Sequence, residues 1–139
     1  MPKVVFLCGV RDYHAMDWFR ASTQYLKPTS PIIVTDLLSS EGYPSLAHPE
    51  DRIFKLIILD RLLPGKQSKF SNIYRNILKF VLFPFQVLLL RFYLFTFKES
   101  IIYAHSMYYV WLAWLSGAKH YVAIPQGSDV LIKPYRSSL

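Results

Sequence analysis

A single cysteine, Cys8, stands in the 139-residue chain. That excludes an internal disulfide framework and a cysteine-based zinc cluster, and points to a reduced, cytosolic setting. Glycine is also sparse, at five residues. The turn Gly9-Val10-Arg11-Asp12-Tyr13-His14 holds one of them, so the glycine fingerprint of dinucleotide-binding turns is missing and an NAD or FAD role is disfavoured. Acid is absent from one long stretch. From Arg61 to Lys98 there are seven basic residues and no carboxylate, whereas the rest of the chain balances nine basic against nine acidic residues. The net charge of +7 therefore resides in that segment. No repeat, low-complexity tract, metal-ligand cluster or secretory signal is visible, since Met1-Pro2-Lys3 leads into only a short apolar run, broken at Arg11-Asp12.

What the chain has in excess is apolar and aromatic sequence, 53% and 17% of its residues. The apolar share exceeds the roughly 45–50% usual for soluble domains, so either the core is large or some apolar surface faces a membrane. One domain fits the length. Val4 to Cys8 is a continuous apolar run ending at Gly9, the form of a parallel strand buried on both faces. A helix follows from about Ala15 to Leu26, with Met16, Phe19, Thr23 and Leu26 at helical spacing, and Ile32 to Thr35 makes a second buried strand with Asp36 at its tip. Strand, helix and strand in about thirty residues form a βαβ unit. Ile53 to Leu59 reads as a third strand, with a helix over Asp51 to Leu63 as the alternative. The last forty residues give another strand, helix and strand: Ser100 to Ala104, Tyr108 to Leu115 and His120 to Ile124. The expected fold is thus an α/β, Rossmann-like parallel sheet of about five strands with helices on both faces, residues 1–139 forming one domain.

The segment from Asn72 to Phe97, with Ser71 as its expected cap, is long and apolar. Ile77 to Phe97 has the ~20 residues a membrane span requires. Arg91 would then lie in hydrocarbon at a cost of about 2.5–3.5 kcal/mol near the centre, which disfavours a span. A buried crossover helix and an interfacial helix dipping into one leaflet remain open. Basic residues beside apolar sequence suit anionic lipid headgroups, and Lys66, Lys69, Arg75 and Lys79 are the expected contacts with such a surface. Nucleic acid is the other common partner of a basic patch, but no nucleic-acid-binding motif accompanies this one.

In parallel α/β sheets, ligands sit beyond the carboxyl ends of the strands. His105, at the end of the fourth apolar run, and the loop Gln126-Gly127-Ser128-Asp129, after the fifth, should therefore face one crevice. Gly127 to Asp129 could set backbone N–H groups and a carboxylate against a sugar or phosphate, or simply make a tight turn and cap the next segment. His105 is either a donor to a substrate hydroxyl or a half-buried, hydrogen-bonded histidine. Gly9, with His14 and Asp17 three residues apart at a helix start, would approach from the first loop; a structural His/Asp pair is the alternative. Tyr108, Tyr109, Trp111 and Trp114 read most simply as core, with sugar stacking as the alternative.

Ile101 to His105, Leu112 to Lys119 and Val122 to Asp129 together resemble the amino-terminal half of a two-domain GT-B glycosyltransferase, of the broad family-4 or group 1 class. The resemblance covers the last forty residues well and the opening βαβ unit more loosely. It implies the acceptor-binding half of a retaining enzyme that moves a sugar from a nucleotide-sugar donor to a carbohydrate or lipid-linked acceptor in cell-surface glycan synthesis. It also implies a cytoplasmic protein, peripheral on the inner face of the membrane, with no cofactor besides the donor substrate. Gln126 stands where many relatives carry His, which keeps hydrogen bonding but removes a titratable group. A donor-binding domain is expected to complete the enzyme in cis or in trans, as in a split glycosyltransferase, and the isolated half to be inactive. The reading from another class is a non-enzymatic, membrane-associated α/β adaptor.

Overall fold

The computed structural model describes residues 3–25, 31–97 and 99–126. Five strands, β1 (Val4–Leu7), β2 (Ile32–Thr35), β3 (Arg52–Lys55), β4 (Ile101–His105) and β5 (Tyr121–Ile124), form one all-parallel sheet in the order β3-β2-β1-β4-β5. The helices are α1 (Tyr13–Tyr25), α2 (Lys69–Thr96) and α3 (Met107–Leu115). This is a Rossmann-like sheet whose order reverses between β1 and β4. A crevice opens at such a reversal because the connections leaving its two strands turn to opposite sides.

Alternation along β1 builds two cores. Val4, Phe6 and Cys8 pack with Ala15, Met16 and Phe19 of α1. Val5 and Leu7 pack with Leu90 of α2 and with Tyr109, Leu112 and Ala113 of α3. β1 and β2 are buried along their whole length, which accounts for their unbroken apolar runs. The α1 start is set by Asp12, whose Oδ1 accepts from the backbone N–H of His14 (3.0 Å) and Ala15 (3.4 Å).

The third strand is shorter than Ile53 to Leu59. It stops at Lys55 because the Gln86 side chain takes both backbone groups of Ile57: Ile57 N–H donates to Gln86 Oε1 and Gln86 Nε2 donates to Ile57 O, each at 3.0 Å. The cap of α2 is Ser68 rather than Ser71. The two serines satisfy each other's backbone, Ser71 N–H donating to Ser68 Oγ (3.1 Å) and Ser68 N–H to Ser71 Oγ (2.7 Å).

The long helix is not the buried crossover weighed from sequence. Only Ser71, Gln86 and Leu90 of α2 are buried. The inward face carries Ser71, Arg75, Lys79, Gln86 and Leu90 at helical spacing, while Phe70, Ile73, Ile77, Phe80, Leu88, Phe92 and Phe95 stand exposed on the outside. Phe80 is 82% exposed and Phe95 80%. The first half of α2 thus turns Arg75 and Lys79 toward the protein, its second half packs Phe83, Val87, Leu90 and Leu94 on the core, and an apolar face is left outward along its length. By length and composition α2 is also long and apolar enough to cross a membrane.

Candidate functional site

A cavity of about 830 Å³ opens at the carboxyl ends of β1 and β4. Its walls are the first loop (Gly9, Arg11, Asp12), the segment after β2 (Leu37, Tyr43), the first half of α2 (Arg75, Asn76, Lys79, Phe80, Phe83), the start and outer turn of α3 (Tyr108, Tyr109, Trp111) and Gln126. Charge enters this cavity in opposed groups.

Lys79 and Asp36 form the deepest pair. Lys79 Nζ lies 3.3 Å from Asp36 Oδ2, and the carboxylate is completely buried. The ammonium also sits over two aromatic faces, 4.0 Å from the Tyr108 ring centroid and 5.1 Å from that of Tyr109. Tyr109 donates its hydroxyl to Asp36 Oδ1 in a short hydrogen bond. Burial pulls the Lys79 pKa below the usual lysine value, with the Asp36 charge opposing that shift. Burial, then the Asp36 charge, push both Tyr108 and Tyr109 upward, so both phenols stay neutral. Cys8, under the same loop, is raised by burial and by Asp12 and Asp36, and is an inert thiol.

The second group centres on Glu41. Its side chain is fully buried, and its Oε2 accepts from Arg11 Nη2 (2.8 Å) and Arg75 Nη1 (3.0 Å). Arg11 Nη1 also donates to Ser40 O (2.8 Å) and Ser40 Oγ (2.7 Å). The backbone helps to aim the carboxylate. Glu41 and Gly42 both take positive φ, 53° and 86°, in a tight turn closed by reciprocal Ser40 and Tyr43 backbone bonds. A non-glycine residue in that region is held there by its surroundings, here two guanidinium groups. Burial works to raise the Glu41 pKa, but the Arg11 hydrogen bond and the Arg75 charge outweigh it and leave the carboxyl below its usual value.

Asp12 supplies the third acid. While Oδ1 caps α1, Oδ2 accepts from Gln126 Nε2 at 2.5 Å, tying the end of β5 to the first loop. A Cβ on Gly9 would lie 3.5 Å from the Tyr109 hydroxyl, an ordinary contact. Glycine therefore keeps this wall of the cavity open without being required for the backbone path.

Of the residues expected at the site, Gly9 and Gln126 line the cavity. Gly127, Ser128 and Asp129 lie outside the described residues. His14 and Asp17 are exposed on α1 and do not line it. His105 does not reach it either. It is 2% exposed as the last residue of β4, its ring stacks on Phe6 with centroids 6.4 Å apart, and its Nε2 is buried without a hydrogen-bond partner. Register explains this: Phe6 pairs with Tyr103, so Tyr103 and His105 share the α1 side of the sheet, opposite the cavity. Burial lowers the His105 pKa, with Asp12 opposing, and favours the neutral ring. Lys66 and Lys69 are exposed as a membrane contact requires. Arg75 and Lys79 are not available for it, because they project inward onto Glu41 and Asp36. Both correct the expectation of four lipid-facing cations.

Sequence reasoning passed over a role for Arg11, Asp36 and Glu41, and favoured core over sugar stacking for Tyr108, Tyr109 and Trp111, which line the cavity. The readable signal was the spacing of Arg75 and Lys79, four apart on a helix whose other face is apolar. Among the described residues, no three His, Cys, Asp or Glu side chains are grouped as a metal ion would need. The arrangement is suited to binding: paired charges offer fixed donors and acceptors, and aromatic faces offer apolar contact. No family model, curated protein or solved structure matches the chain.

Proposed function

We propose that the chain is the acceptor-side domain of a GT-B glycosyltransferase working at the surface of a membrane. The observation that carries this reading is the cavity at the β1/β4 reversal, where opposed charges and exposed aromatic rings stand side by side. Fixed donors and acceptors hydrogen-bond sugar hydroxyls, and ring faces pack on the apolar faces of sugars. Trp111, 51% exposed, supplies one such face. A donor-binding domain, in cis or in trans, brings the nucleotide-sugar over this cavity. Transfer then rests on positioning and on the donor's phosphate as leaving group.

The exposed apolar face of α2 supports the membrane part of the reading. Its outer face presents Phe70, Ile73, Ile77, Phe80, Leu88, Phe92 and Phe95 to an apolar medium, and the same helix carries the exposed cations Lys69 and Arg91, with Lys66 exposed just before it. Apolar area plus basic residues is the composition that binds anionic interfaces. A non-enzymatic adaptor would need only α2 and leaves the cavity without a use. The test uses membranes from cells that make the protein and from cells that lack it, incubated with radiolabelled UDP-, GDP- and ADP-sugars. Label should enter lipid-extractable or polymeric material only where the protein is made. Equal incorporation by both preparations overturns the glycosyltransferase reading.

A further inference from the structure

The sheet has two edges, and the chain treats them differently. At β3 the outer edge is guarded. Arg52 and Lys55 stand exposed on it, Ile53 and Phe54 pack onto the two cores, and Lys55 O accepts from the Tyr93 hydroxyl of α2 at 2.8 Å. That carbonyl is an outward one, because the next N–H, of Leu56, donates to Thr35 O on the β2 side. Charged side chains and a covered backbone are the usual protection of an edge strand against pairing with another chain.

At β5 this protection is missing among the described residues. Tyr121-Val122-Ala123-Ile124 carries no charge, Tyr121 is 37% and Val122 42% exposed, and Ala123 is exposed between Val122 and the half-buried Ile124. The ladder fixes which backbone groups are spare. His120 O and Ile124 O accept from the N–H groups of Ile102 and Ser106 at 3.0 and 3.1 Å, so His120, Val122 and Ile124 turn their backbone groups toward β4. Tyr121 and Ala123 therefore turn their N–H and C=O groups outward, and what completes such an edge is another strand.

These groups are symmetric about Val122. When a second β5 runs antiparallel with Val122 opposite Val122, Tyr121 of each copy falls opposite Ala123 of the other. Each such pair exchanges two N–H···O bonds, so every outward group of both strands is satisfied. The side chains agree. Register with Ile102 and Ala104 puts Tyr121 and Ala123 on the α3 side, where each ring faces a methyl group, and register with Tyr103 puts Val122 on the α1 side, against its own copy at the axis. Charge agrees as well, since the exposed Lys119 and His120 fall opposite Pro125 and Ile124 rather than opposite each other.

We infer that β5 is a contact between two copies of this chain, which join edge to edge about a two-fold axis at Val122 and run their sheets into one. The contact uses neither the cavity nor the outer face of α2 and is independent of the proposed function.

The purified chain is studied by sedimentation equilibrium in density-matched octyl pentaethylene glycol ether micelles, which cover the apolar face of α2 and leave β5 as the site of association. The parent should be a reversible dimer. Val122→Lys and Val122→Glu each set like charges together at the axis and should weaken the dimer at least about tenfold. Mixed in equal amounts, the two variants should associate with about the parent's affinity, a response only a strand that faces itself can give. Ala123→Pro removes an outward N–H and no bond to β4, so it should keep the fold by circular dichroism and lose the dimer. A monomeric parent, as residues 127–139 lying on the edge instead would produce, overturns the inference. So does a charge variant that dimerises as the parent does, or a mixture of the two that stays monomeric.

Discussion

Replacing Lys79 by Met removes one partner of a buried ion pair and leaves the Asp36 carboxylate with only the Tyr109 hydroxyl on its other oxygen. Breaking such a pair from one side costs about 3–5 kcal/mol, because the remaining charge stays buried without compensation. For a domain of this size that amounts to a fall in Tm of about 10–15 °C, at about 3 °C per kcal/mol. Removing both charges is different. Asp36→Asn with Lys79→Met leaves a neutral amide that still accepts from Tyr109, and exchanging a buried pair for neutral groups is often close to neutral in stability. The double variant should therefore recover most of the loss. The assay is thermal and urea unfolding followed by circular dichroism on the parent, the two single variants and the double variant, with Lys66→Gln/Lys69→Gln as the exposed comparison. That comparison should stay within about ±0.5 kcal/mol per site. A Lys79→Met variant as stable as the lysine pair variant would refute the inward placement of Lys79 and return it to the lipid-facing set.

The same pair of exposed lysines carries the membrane prediction. Lys66→Gln/Lys69→Gln should weaken binding to phosphatidylserine-containing vesicles about thirtyfold at low salt, from ~1 kcal/mol per basic residue near an anionic surface, and a co-sedimentation assay showing no change would remove the electrostatic part. Glu41, whose folded pKa lies below its unfolded value, contributes stability that is present above pH 4.5 and is lost as pH falls through the folded value. Glu41→Gln should accordingly be less stable at neutral pH and show a shallower loss below pH 4.5, read from Tm against pH. For His105 the folded pKa also lies below the unfolded value of 6.5, so here too the unfolded chain takes up the proton first and stability falls as pH drops below 6.5. His105→Phe should flatten that part of the profile, and an unchanged slope would show that the ring is not buried neutral.

The sheet was legible because its central strands are buried on both faces, so Val4 to Cys8 and Ile32 to Thr35 announce themselves as unbroken apolar runs. Strand β3 was less so. Its end depends on Gln86, twenty-nine residues further on, which no local pattern reveals. The crevice rule pointed to Gly9 and Gln126, which line the cavity, but could not tell which face of β4 His105 occupies, because register decides that and lies between strands. Counting charges along Arg61 to Lys98 treated seven cations as one patch. The helix divides them, sending Arg75 and Lys79 inward to Glu41 and Asp36 while Lys66, Lys69 and Arg91 stay outside. Both partners follow β2, more than thirty residues earlier and too distant in sequence for the pairing to be visible.

The central claim is that this cavity holds the acceptor of a sugar-transfer reaction, and Trp111→Ala tests it most directly. Trp111 lines the cavity, is half exposed, and among the described residues meets another ring only at Trp114, so its loss should leave the fold intact. In membranes containing the protein, initial rates are measured while acceptor and nucleotide-sugar are varied separately. The account predicts that the acceptor KM rises about tenfold or more, the loss of roughly 1.4 kcal/mol of stacking contact, while the donor KM stays unchanged. A donor KM that rises instead, or rates identical to the parent at every acceptor concentration, would contradict it.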